Sequence, residues 1–72
     1  MAKVEYEIIK PIGVLSESDS GWTKELNLIS WDKGAAKYDI RSWSPDHQKM
    51  GKGVTLDAAE AEILATLLQA EI

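Results

Sequence analysis

The 72-residue sequence contains no cysteine, a single histidine and no cluster of residues with metal-ligand spacing. Neither disulfides nor zinc can therefore stabilise the fold. A domain of this length buries only about 60% of the surface that its unfolded chain exposes. Because self-association is the remaining common source of stability, we expect residues 1–72 to form one domain that assembles as a homodimer.

Long hydrophobic runs are also missing. No apolar stretch approaches the roughly 20 residues of a membrane-spanning helix. The N-terminal sequence MAKVEYEIIK carries acids where a signal peptide needs an apolar segment. We therefore expect a cytoplasmic protein that has no membrane partner.

The net charge of −4 by itself argues against nucleic-acid binding, because domains with that function are typically basic. The charges are unevenly distributed, however. Acids predominate in residues 1–21 and 54–72, whereas residues 22–53 hold six cations and four acids. If the chain binds a phosphate backbone, it does so through this middle region.

The segment KYDIRSWSPDHQKMGKG, residues 37–53, combines cations with an aromatic residue and two glycines. If residues 37–43 form a strand, their side chains alternate between its two faces, and one face carries Lys37, Asp39, Arg41 and Trp43. An arginine and an exposed tryptophan two positions apart offer a cation for phosphate and a flat surface for a base, as single-stranded nucleic acid requires. Lys49 and Lys52 follow in a predicted loop. The alternative for the same residues is an ordinary solvated sheet face.

A second strand is predicted over Trp22–Trp31, followed by a turn at Asp32-Lys33-Gly34. In this strand Leu26 and Leu28 are expected to point to the core. The other face is predicted to carry Glu25, Asn27, Ile29 and Trp31. Trp31 then shares a face with Trp43, and it is either a second stacking residue or a residue at the edge of the core.

The first strand is predicted over Val4–Leu15, with a bulge near Ile8 and Ile9 where the apolar residues change phase and Pro11 follows. A loop is predicted over Ser16–Gly21. Residues 44–53 are also predicted as loop, and Val54–Leu56 as a short fourth strand.

The C-terminal region predicts a helix that ends near Ala70 and starts after a capping box formed by Asp57 and Glu60. Its apolar positions recur at three and four residues: Ala59, Ile63, Leu64, Leu67 and Leu68, with Leu56 just before the cap. This stripe covers the sheet, the helix of a partner, or both.

The sequence contains no convincing catalytic motif. Ser44, Asp46 and His47 have the residue types of a nucleophilic triad, but side chains this close in one loop cannot surround a substrate as nucleophile, base and orienting group. The sequence MGKG lacks the flanking residues of a nucleotide-binding loop. We therefore expect no enzyme activity, no cofactor, no metal and no small-molecule substrate.

The order of the predicted elements, with YDIR at 38–41, KGVTL at 52–56 and an acidic helix start, resembles the single-stranded-DNA-binding domain of the positive-cofactor-four family of transcriptional coactivators. The run from Trp22 to Leu56, including WSPDH and MGKG, is similar to the bacterial YdbC-type members of that family.

This resemblance implies an α+β fold, in which a curved four-stranded antiparallel sheet is followed by one C-terminal helix (ββββα), and a homodimer. It implies binding of single-stranded DNA, or RNA, with little sequence specificity, in transcription regulation or in DNA replication or repair. The suggested binding residues, with Lys37 added from the strand pattern, are Lys24, Trp31, Lys37, Arg41, Trp43, Lys49 and Lys52. The competing hypothesis, supported by the negative net charge, is a small dimeric protein-interaction module that binds no nucleic acid.

Overall fold

The computed structural model describes residues 5–72, and these form four strands and one helix. The elements are β1 (Tyr6–Glu17), β2 (Thr23–Trp31), β3 (Ala36–Trp43), β4 (Met50–Leu56) and α1 (Ala58–Glu71). Each strand pairs antiparallel with the next in the order β1-β2-β3-β4. The predicted ββββα arrangement is therefore confirmed, although Val4 of the first predicted strand lies outside the described residues. Helix α1 is too short to span a membrane.

The first strand is irregular, as its sequence predicts. Its pairing with β2 shifts register between Ile8 and Lys10, at the predicted bulge, and shifts twice more before the strand ends. Each shift inserts an unpaired residue, which bends the strand and increases its twist. Strand β1 continues to Glu17, so the loop begins two residues later than predicted.

The fourth strand is longer than predicted, because it begins at Met50 and includes both glycines of the segment MGKG. Gly53 pairs with Arg41 of β3. A Cβ atom at Gly53 would overlap the Cβ of Arg41 and the carbonyl oxygen of Ile40. This glycine therefore permits close approach of two strands rather than marking a loop, and Lys52 belongs to β4.

The sheet curves strongly. Arg41 pairs with Glu25, six residues before Trp31 on β2, which corresponds to roughly 20 Å along a straight strand. The guanidinium carbon of Arg41 nevertheless lies 4.9 Å from the centre of the Trp31 ring. Curvature thus brings distant parts of one sheet face into contact. We call this face, which carries the odd-numbered residues of β2 and β3, the concave face, and the opposite one the convex face.

The most deeply buried side chains lie on the concave face. They are Asn27, Ile29, Asp39 and Trp43. This corrects the predicted core, because Leu26 and Leu28 on the convex face are only partly buried. The physical reason is that curvature folds the concave face onto itself, whereas a single helix covers the convex face.

Helix α1 starts with the predicted capping box. Asp57 Oδ1 accepts a hydrogen bond from the Glu60 backbone N–H at 2.8 Å, and Glu60 Oε1 accepts one from the Asp57 N–H at 3.0 Å. The helix lies over the convex face and leaves an open apolar groove of about 390 Å³, lined in part by Leu26, Ile40, Leu64 and Leu68. No helix residue is buried, and Ile63 and Leu67 on the outer side are each 61% exposed. The apolar stripe therefore divides between the two sides of the helix.

Candidate nucleic-acid interface

Trp43, the last residue of β3, lies on the concave face and is fully buried, with 0% of its surface exposed. Its ring stacks on the His47 imidazole, with ring centres 4.1 Å apart and planes inclined by 4°. The Tyr6 ring lies 5.6 Å away in a tilted arrangement. The predicted exposure of Trp43 is therefore wrong, because sheet curvature and the loop before β4 bring other rings over it.

Trp31 is partly buried at the end of β2. Its ring centre lies 5.7 Å from that of Tyr6, and the Arg41 guanidinium lies over the ring. Arg41 and Trp31, which were both predicted as binding residues, therefore contact each other in a cation–π arrangement. Tyr6 was missed as a site residue, since its distance in sequence from the other aromatic residues hides the contact.

Arg41 also forms an ion pair within the concave face. Its Nε atom lies 2.6 Å from Asp39 Oδ2, and its Nη2 atom lies 2.8 Å from Asp39 Oδ1. The Thr55 hydroxyl donates to the same carboxylate at 3.0 Å. The Asp39 side chain is 0% exposed and that of Arg41 is 16% exposed. The charge of Arg41 is thus compensated inside the protein, and strand alternation, which places both residues on one face, is the sequence signal for this pair.

The loop between β3 and β4 is ordered by its own hydrogen bonds. The Ser44 hydroxyl donates to Asp46 Oδ1 at 2.7 Å and accepts from the Lys49 backbone N–H at 2.9 Å. The bond from Ser44, together with one from the Gln48 N–H, lowers the pKa of Asp46. His47 instead reaches across to β2, where its Nε2 atom lies 3.0 Å from Glu25 Oε1. Serine, aspartate and histidine therefore do not meet as a triad.

Glu25 connects this loop to the sheet. Its carboxylate accepts hydrogen bonds from the Thr23 hydroxyl at 2.5 Å and from the Asn27 amide at 3.2 Å, in addition to its contact with His47. Burial raises the pKa of Glu25, but these hydrogen bonds together lower it by more, so that the pKa lies below its ordinary value of 4.5. No local sequence signal links Glu25 to His47, which is 22 residues away.

The lowered pKa of Glu25 predicts acid sensitivity. A carboxylate whose pKa is lower in the folded than in the unfolded protein stabilises the fold above its unfolded pKa, and this contribution is lost as the pH falls through the folded pKa. We expect the free energy of unfolding to decline below about pH 4.5, and Glu25→Gln to remove part of that decline. Urea denaturation between pH 7 and pH 3 measures both effects. A variant with the same pH dependence as the parent would contradict this role of Glu25.

The predicted lysines are all exposed but do not share one surface. Lys37 lies on β3 on the concave face, and Lys49 lies in the loop between β3 and β4. Lys52 lies on β4, where the pairing with β3 shifts register between Arg41 and Trp43. Lys24, in contrast, pairs with Ser42 on the convex face. The sheet therefore separates Lys24 from the aromatic residues. Within residues 5–72, no group of His, Cys, Asp or Glu side chains is arranged to hold a metal ion.

Comparisons with known proteins agree with the resemblance seen in the sequence. Residues 18–67 match the family described as Transcriptional Coactivator p15 (PC4). The match spans β2, β3, β4 and most of α1, and it includes both tryptophans of the concave face. A bacterial protein of Treponema pallidum (strain Nichols), described as an uncharacterized protein, is 56% identical over 63 residues, which cover 88% of this chain and 74% of that protein. The chain belongs to the Transcriptional Coactivator p15 (PC4) family.

Proposed function

We propose that this protein binds single-stranded DNA, or RNA, with little sequence preference, and that it serves transcription regulation or DNA replication or repair. It binds without catalysis and without a cofactor. The family supports a nucleic-acid partner. The observation that carries the proposal is the grouping of Tyr6, Trp31 and Trp43 on one sheet face, with ring centres of neighbours less than 6 Å apart. Aromatic rings that stack on bases bind single strands with little regard to sequence, because every base has a planar face.

The lysines around this face are the proposed phosphate-binding groups. Arg41 forms an ion pair with Asp39, and only 16% of its side chain is exposed. Lys37, Lys49 and Lys52 are exposed, and none of them forms an ion pair with another residue in the described part of the chain. Their charges are therefore available to a phosphate backbone, in spite of the negative net charge of the whole chain.

Salt dependence tests this assignment. Each lysine that neutralises a phosphate adds about 0.7 to the slope of log affinity against log salt concentration for a single strand. We expect Lys37→Ala, Lys49→Ala and Lys52→Ala each to weaken binding of oligothymidylate and to lower the slope by roughly 0.7. Fluorescence anisotropy at several salt concentrations measures the slope. Lys10→Ala, which removes an exposed lysine from β1, is the matched control and should leave the slope unchanged.

The same experiment addresses Lys24 and the choice of nucleic acid. We expect Lys24→Ala to leave the slope unchanged, because this lysine lies on the convex face. A duplex of equal length should bind more weakly than the single strand, since its base faces are hidden inside the stack. Preference for duplex would contradict the stacking mechanism. If no nucleic acid binds at all, the dimeric protein-interaction module becomes the better account.

We further propose that the binding unit is a homodimer held through α1. The outer side of the helix exposes Ile63 and Leu67, and the groove between helix and sheet is open and apolar. A chain of this size has little buried surface of its own, so covering these residues with a second copy would stabilise it.

Sedimentation at micromolar concentration tests this assembly. We expect a dimer, and we expect Leu67→Glu to dissociate or unfold it, because the new charge would be buried without a partner. Gln69→Glu adds the same charge at an exposed polar position of the same helix and is the matched control. A compact, folded monomer of the parent protein would refute the dimer.

A further inference from the structure

We propose that, in the free protein, the imidazole of His47 fills the position over Trp43 that a stacked base takes, a position that we call the slot. The inference rests on the single-strand binding proposed above. The two rings are nearly parallel, at 4°, and their centres are 4.1 Å apart. This is the face-to-face contact that a nucleobase makes on an aromatic side chain. His47 therefore occupies the position over Trp43 that a stacked base needs.

Trp43 cannot stack on a base until part of its cover moves. None of its surface is exposed, and Tyr6 and His47 are the aromatic rings that cover it. The Tyr6 ring is inclined by 51° to the Trp43 ring, so it does not lie in the parallel position of a stacked base. His47 lies in the loop between β3 and β4, and 37% of its side chain is exposed. His47 is thus the ring that lies in the stacking position, and it belongs to a loop that can move without disrupting a strand.

The few contacts of the His47 ring are consistent with its replacement by a base. Its ring is held to the sheet by the Trp43 stack and by one contact, from Nε2 to Glu25 Oε1. Glu25 keeps its bonds from Thr23 and Asn27 when that contact is lost. The backbone of His47 has a left-handed conformation, with φ of 62°.

Nuclear magnetic resonance of the full chain tests the exchange directly. In the free protein, the ring current of Trp43 should shift the His47 ring-proton signals upfield. During titration with oligothymidylate, these signals should move towards the positions of an unstacked histidine. Affinity gives a second readout. Removal of the competing ring in His47→Gly should make oligothymidylate bind about fivefold more tightly, the factor that corresponds to one lost aromatic stack.

Two features keep the affinity test specific. Glycine adopts the φ of residue 47 without strain, so His47→Gly should remain folded, as thermal unfolding would verify. Gln48→Gly places the same residue next to it in the loop and leaves the imidazole in place. This matched control should bind like the parent. An equal gain in Gln48→Gly would show that loop flexibility, and not release of the slot, raises the affinity, and would overturn the inference.

The remaining outcomes separate this inference from the proposed function. If the parent binds oligothymidylate while the His47 signals stay upfield, single-strand binding stands and the slot does not exist. Weaker binding by His47→Gly would mean that the imidazole itself contacts the strand, which also overturns the slot. If the parent does not bind oligothymidylate, the proposed function fails, and the slot fails with it.

Discussion

Trp43→Ala should lower the free energy of unfolding by about 3–5 kcal/mol, the cost typical of removing a large buried aromatic side chain. Trp43 is fully buried and contacts rings from β1 and from the loop before β4. Its loss would leave a cavity at a point where both of these segments pack on the concave face. Since small domains have few kcal/mol of stability in total, most of the variant should be unfolded. Urea denaturation followed by circular dichroism measures the change.

Trp22→Ala is the comparison for this prediction. Trp22 precedes β2 and is only partly buried, so its truncation should cost clearly less. A Trp43→Ala protein as stable as the parent would show that the concave face is not the core. Because Trp43→Ala is expected to unfold the chain, loss of DNA binding in that variant would say nothing about stacking. Trp43→Phe, which keeps a buried ring, is the variant suited to binding experiments.

Arg41→Ala is expected to have an effect of similar size, about 3–5 kcal/mol of lost stability. The reason is the Asp39 carboxylate, which is 0% exposed and would lose both of its bonds to the guanidinium. The remaining bond from the Thr55 hydroxyl cannot compensate a buried negative charge. Arg41 was predicted from sequence to neutralise a phosphate, but its substitution should first affect folding. The salt-dependence test therefore uses the exposed lysines.

A double-mutant cycle isolates this ion pair. Asp39→Asn removes the buried charge that Arg41→Ala leaves without a partner. The double variant should therefore recover part of the stability that Arg41→Ala loses, which corresponds to a coupling of about 0.5–3 kcal/mol between the two positions. Denaturation of the parent, both single variants and the double variant completes the cycle. Purely additive losses would contradict the view that Arg41 stabilises the fold through Asp39.

Several features of this protein could be predicted because their causes lie within a few residues. Alternation placed Asp39, Arg41 and Trp43 on one face, and the phase change near Ile8 marked the bulge in β1. The capping box of α1 follows from two side chains three positions apart. The turn after β2 also formed where predicted, with positive φ at Asp32 and Lys33.

Other predictions failed because a local pattern has more than one structural cause. The glycines of MGKG suggested a loop, but Gly53 lies in β4, where only a hydrogen atom fits between two strands. The resemblance also did not reveal that Lys24 lies on the convex face, and its role in binding stays a prediction. Leu26 and Leu28 were taken as the core from hydrophobicity, which does not reveal how well one helix covers them.

By itself, the sequence determined the order of the elements along the chain, the helix, the family and the residues on each face of β2 and β3, because these depend on local periodicity and on motifs. Only the tertiary structure decided which face of the sheet is buried and which cations form no ion pair within the described residues. Sheet curvature accumulates from the twist and bulges of whole strands, and no short segment encodes its final extent. That curvature places His47 over Trp43 and Arg41 over Trp31, and so turns a predicted open platform into a closed cluster of rings.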